Sequence, residues 1–147
     1  MITNTLRQVT NLRKLEKRFN GKYSKIPNYL ISRDGEIIQL LKSEEHTNFL
    51  YSVNLNRNSV VICLENLGWL EKEPLKNHYI NWIGSIYKEN VFDKKWRDYF
   101  FWEPYTQIQM EKAAELCKKL LEKFDIEPVC LGHNTKTNKL ETFSGII

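Results

Sequence analysis

The sequence predicts an α/β fold, a small mixed β-sheet flanked by helices. Three observations predict it. Asp34-Gly35 lies between two apolar runs, as in a tight β-hairpin. Ser59 to Asn66 is a near-continuous run of β-branched and apolar residues, which suits a central strand covered on both faces. Thr106, with Gln109 three residues on, is a capping box that opens a long amphipathic stretch.

In chain order, Leu6, Val9, Leu12, Leu15 and Phe19 recur every three or four residues, so residues 6–19 read as an amphipathic helix. Gly21 ends it. Residues 27–32 and 36–41 form the two strands of the hairpin around Arg33-Asp34-Gly35. Residues 42–58 are polar and loop-like and contain His46. The expected central strand, 59–66, is broken off by Gly68 and Pro74. Residues 79–105 are unusually aromatic, and about 70–105 read as an aromatic-rich insertion. The helix from Thr106 to Phe124 is expected to bury Ile108, Met110, Ala113, Ala114, Leu116, Cys117, Leu120, Leu121 and Phe124. Pro128 to Leu131 reads as a last strand that presents Gly132-His133. Helices packed on a small sheet satisfy this order, and 147 residues suit one domain spanning 1–147.

Composition narrows the function classes. No apolar run approaches the roughly 20 residues needed to span a bilayer, and the first residues lack the apolar core of a signal peptide. Cys63, Cys117 and Cys130 lack paired spacing and read as small buried hydrophobes rather than a disulfide framework. A cytoplasmic location is therefore expected. Net charge is only +4. The basic stretch from Arg7 to Lys25 is read as a solvated helix face. No nucleic-acid motif accompanies it, so a nucleic-acid partner is not expected.

The chain has three histidines, His46, His78 and His133. His133 sits at a strand end, where a metal ligand or base would be presented. His78 reads as a surface residue. Tyr-Leu-Ile, Arg-Asp-Gly and Ile-Ile-Gln-Leu, in that order, resemble the opening hairpin of zinc-dependent N-acetylmuramoyl-L-alanine amidases. These share their fold with the peptidoglycan recognition proteins and with phage lysozymes of the amidase type. Asn58 to Asn66 is similar to the family's Asn-Ser-Ile-Gly-Ile-Glu-Leu strand. The Thr106–Phe124 helix followed by Leu131-Gly132-His133 is similar to its helix, strand and Gly-His. These blocks cover residues 27–66 and 102–134.

The resemblance implies zinc held by two histidines and an Asp or Cys, with a nearby carboxylate or Tyr assisting proton transfer. It implies that the bond cut joins the lactyl group of muramic acid to L-alanine. His133 matches the second histidine ligand. The first falls on Thr3-Asn4-Thr5, where there is no histidine. The third falls nearest Lys139-Leu140-Glu141, which makes Glu141 the metal candidate and Lys139 its catalytic neighbour. Cys63 stands where many members have Glu, and Glu65 lies two residues on, on the same side of the strand. His46, Asn58, Trp69 and Trp102 are the ligand-binding candidates.

Three functions follow from this reading. The first is an amidase-like domain that binds a peptidoglycan fragment, or another small anionic ligand, with weak or absent zinc and impaired catalysis. The second is an active amidase that recruits His46 to the metal beside His133, with Glu141 or Glu65 as the third ligand. The third is a repurposed phage-type protein that captures a host signalling molecule or protein partner. The lack of a leading strand and the stop at Ile147 are read as a reduced or truncated form of the domain.

Overall fold

The computed structural model of the chain describes residues 26–50, 52–131 and 143–146. The expected helix over 6–19, the Thr3-Asn4-Thr5 segment, Lys139, Glu141 and His133 lie outside the described residues.

The hairpin forms as its turn chemistry dictates. β1 (Tyr29–Ile31) pairs antiparallel with β2 (Ile37–Gln39), Ile31 opposite Ile37. Ser32 N–H donates to Glu36 O and Gly35 N–H to Ser32 O, both at 3.0 Å. Gly35 has φ +86, which a residue with a Cβ adopts only at a cost, and a Cβ there would lie 2.6 Å from Ile108 Cγ1. The Ser32 hydroxyl donates to Asp34 and holds that carboxyl below its usual range.

β3 (Ile62–Leu64) pairs parallel to β1, with Leu30 opposite Cys63. The sheet order is β2-β1-β3 and the sheet is mixed. Among the described residues, the strand expected at the centre lies at the edge, and β1 is central. An apolar run reports that both faces are covered, not how many strands flank it. The connection from β2 to β3 was expected to be loop throughout. It contains a short helix, α1 (Val53–Arg57), capped by the Ser52 side chain, which accepts Leu55 N–H.

Asn28 pins this connection down. It is fully buried. Its Nδ2 donates to Lys42 O at 2.8 Å and Glu45 O at 3.1 Å, and its Oδ1 accepts Val61 N–H at 2.9 Å. One amide thereby satisfies three backbone groups from two separate segments.

α2 (Gln107–Phe124) starts at Thr106 with the expected capping box. It packs on β1 and β3 through Leu116 and Leu120, which meet Tyr29, Ile31 and Leu64. Ile108, Met110 and Ala114, expected on the buried face, are exposed. Gln109, which is polar, takes the fully buried place at this end of the helix.

The aromatic segment folds as a second sheet. β4 (Trp69–Glu73), β5 (His78–Asn81), β6 (Ile86–Tyr87), β7 (Phe92–Trp96) and β8 (Tyr99–Trp102) form an antiparallel sheet of order β6-β5-β4-β8-β7. Leu67, Leu70 and Tyr87 form its own small core, with Tyr79, Val91 and Phe101 packed against them.

Among the described residues, the expected last strand reduces to one parallel bridge between Cys130 and Ile146. Cys130 is exposed and Cys117 half-buried, so only Cys63 fits the expectation of a small buried hydrophobe. Burial pushes the Cys117 thiol up. Among the described residues no helix is long and apolar enough to cross a membrane.

Candidate functional site

The end of β3, the hairpin turn and the start of α2 meet in a buried polar junction. Glu65 directly follows β3, and its N–H donates to Ile31 O at 2.8 Å, which extends the β1–β3 pairing. Glu65 is 6% exposed, and its Oε2 accepts Arg33 N–H at 3.1 Å, so the carboxylate caps the hairpin turn. Gln109 Nε2 donates to Glu65 O at 2.8 Å and Ile31 O at 3.3 Å, while its Oε1 accepts Thr106 N–H at 3.1 Å. The Thr106 hydroxyl donates back to Arg33 O at 2.7 Å.

The Arg33 side chain reaches from the turn toward the second sheet. It donates to Pro104 O at 2.6 Å and lies 3.6 Å from Glu103 and 3.8 Å from Glu89. Glu103 is 4% exposed, and its other oxygen accepts Leu67 N–H. The pair therefore joins the two sheets through charge as well as chain. Arg33 Nε is buried and has no hydrogen-bond partner among the described residues.

A polar cleft of about 520 Å³ opens beside this junction, lined by Arg33, Lys88, Glu89, Asn90, Tyr105 and Thr106 among others. That volume lies within the range of small-molecule sites. Tyr105 borders the cleft and the main core, and its phenol is pushed up to about 12, chiefly by burial, with Cys63 and the Glu103 carboxylate adding to it. It stays a neutral donor at any ordinary pH.

The expected site residues separate into groups. Trp69 and Trp102 sit directly opposite each other on β4 and β8. Glu65 stands at the junction. His46 is exposed on the loop between β2 and α1. Asn58 caps the C-terminus of α1, its N–H reaching Asn54 O and Leu55 O. It borders an apolar groove of about 440 Å³ between β3 and α2. His78 pairs with Glu73 at 2.7 Å on β4–β5 rather than standing alone on the surface. Among the described residues, no three of His, Cys, Asp or Glu are grouped to hold a metal ion.

Sequence reasoning missed Arg33, Glu103 and Gln109 as members of one network. In the sequence Arg33 signals only a turn and Gln109 only a cap. No local signal tied them to Glu103, which lies 70 residues beyond Arg33 in the chain.

Comparisons with curated proteins and with solved structures return no match. The family model described as N-acetylmuramoyl-L-alanine amidase matches residues 3–141. That span takes in the hairpin, β3, the second sheet and α2, and the mixed sheet with its packed helix agrees with the family's α/β architecture. The chain belongs to the N-acetylmuramoyl-L-alanine amidase family.

Proposed function

We propose that the chain is a single amidase-like domain that binds muramyl peptides, or a similar small anionic ligand, with catalysis impaired or lost. One observation carries the reading. The family match begins at residue 3, and the segment that resembles the first histidine ligand's position reads Thr3-Asn4-Thr5. A hydrolytic zinc site needs three protein ligands and an open position. His133 and Glu141 offer two, and two ligands hold zinc too weakly for steady catalysis. Bound zinc would polarise the amide carbonyl and activate a water.

The junction supports the same reading. Glu65, the candidate for proton transfer, is buried, and its carboxylate is engaged by the backbone of Arg33. The cleft beside it offers Lys88, Tyr105 and Asn90 as polar groups for an acidic peptide ligand.

The test is zinc stoichiometry together with calorimetric titration of a muramyl dipeptide. The expected result is substoichiometric zinc, measurable dipeptide binding and an uncleaved lactyl–alanine amide. His133→Ala is expected to leave dipeptide binding nearly unchanged. One tightly bound zinc per chain, with stem peptide released, would overturn the reading.

A further inference from the structure

The second sheet presents two different faces. One carries its core, with Leu70 opposite Asn81 and Phe101. The other carries a row of rings. Trp69 on β4 is directly opposite Trp102 on β8, and Trp102 is directly opposite Phe92 on β7. Residues opposite one another share a face, so the three rings form one line across three strands. At the usual spacing of about 4.8 Å between strands, the line is about 10 Å long.

Two further rings widen it. Tyr99 stacks on Trp69 at 4.7 Å and 16°, and Trp96 lies 5.5 Å from Trp102. The indole N–H of Trp102 donates to Lys94 O at 2.8 Å, which fixes the ring and satisfies its polar edge. Phe92 is 53% exposed and Trp96 39% exposed, although the sheet already has a packed core on its other side. Hydrophobic burial therefore does not account for this face.

The charges beside the rings choose the ligand. β7 and its turn carry Lys94, Lys95 and Arg97 against Asp93 and Asp98. Arg97 lies over the Trp96 ring at 4.6 Å and Lys95 over Phe100 at 5.4 Å. Asp93 is opposite Phe101, on the core-side face, while Glu71 and Glu73 share the ring face along β4 from Trp69, Glu73 being paired with Lys76 and His78 away from β7. The positive excess is small. It complements a chain with an occasional acidic group and is too weak for the one charge per nucleotide of a nucleic acid.

We propose that the Trp69–Trp102–Phe92 face is a second binding site, for a polysaccharide that carries sparse acidic groups. The apolar faces of successive pyranose rings stack on Phe92, Trp96 and Trp102, and the acidic groups pair with Arg97 and the neighbouring lysines. The site belongs to the inserted sheet alone and does not rest on the amidase-like reading.

The test is isothermal titration of the full chain with a hyaluronan octasaccharide, which has one carboxylate per disaccharide, beside neutral dextran and oligo(dT). Wild type is expected to bind the octasaccharide most tightly of the three. Phe92→Ala and Trp96→Ala are each expected to weaken it about tenfold, the scale of one aromatic contact. Arg97→Ala should weaken the octasaccharide and leave dextran unchanged. Leu75→Ala, at a 97% exposed position outside the platform, should bind as wild type. Absent octasaccharide binding, equal affinities for wild type and both aromatic variants, or tighter binding of oligo(dT) would each overturn the proposal. Dextran binding as tight as the octasaccharide would overturn its charge assignment.

Discussion

Replacing Gln109 with Leu tests how far one side chain holds the frame together. Gln109 is fully buried. Leu preserves the approximate volume and removes every polar contact. Ile31 O keeps the Glu65 N–H as a donor, so its loss is small. Glu65 O loses the 2.8 Å bond, and Thr106 N–H loses its 3.1 Å acceptor. The helix N-cap itself survives, because the Thr106 hydroxyl still accepts Gln109 N–H at 3.2 Å. Arg33 Nη1 loses a 3.4 Å contact to Gln109 Oε1 but keeps Pro104 O. The two orphaned groups, Glu65 O and Thr106 N–H, at about 1.5 kcal/mol each give a loss of about 3 kcal/mol. That is a large part of the about 5–15 kcal/mol that holds a domain folded. At about 3 °C per kcal/mol for a chain of this size, Tm should fall by about 9 °C. Urea unfolding and thermal melting, both followed by far-ultraviolet circular dichroism, read the change. Gln109→Glu keeps the acceptor for Thr106 but sets a carboxylate against Glu65 O and Ile31 O, and should cost at least as much. A loss under about 1 kcal/mol in both variants would refute the claim that this amide couples α2 to the sheet.

Three other outcomes follow from described geometry. Gly35→Ala should cost about 2 kcal/mol in urea unfolding, because the positive φ is retained and the new Cβ meets Ile108. Arg33→Met should cost about 3 kcal/mol by leaving Glu103 buried without its cation, and adding Glu103→Gln should restore part of that. Tyr105 should resist ionisation in an ultraviolet pH titration, leaving one phenol protonated well above pH 10. Its folded pKa is raised, so the stability it contributes is complete below pH 10 and is lost as pH rises from 10 toward about 12. Tyr105→Phe should flatten that part of the stability–pH curve.

Local chemistry was legible in the sequence and partnership was not. Asp34-Gly35 specifies its own turn, and Thr106 with Gln109 specifies its own cap, so both emerged where expected. The second sheet was not legible. Its strands run two to five residues, and aromatic residues occupy both faces, which erases the alternation that marks a strand. Nothing in the sequence around Trp69 and Trp102 marks them as neighbours. Their face-to-face register depends on β4–β8 pairing across more than 30 residues. Glu65 falls within the expected run 59–66 and directly follows β3, but its bond to the Arg33 backbone depends on the parallel β1–β3 register. Pro128–Leu131 shows the converse error. An apolar run long enough for a strand makes one bridge, because among the described residues only Ile146 pairs with it.

β7 lies at the margin of its sheet, with exposed side chains along its whole length. Such a strand invites foreign strands to add to it, and the invitation is stronger when aromatic residues are close by. Its pairing register with β8 shifts between Asp93 and Trp96, and Lys94 and Lys95 fall within that interval. An irregular backbone and two adjacent like charges spoil the template that another copy would need. The molecule can therefore leave a broad aromatic surface open to solvent while resisting self-association into fibres. Removing both lysines would be expected to convert that surface from a recognition device into a nucleus for aggregation.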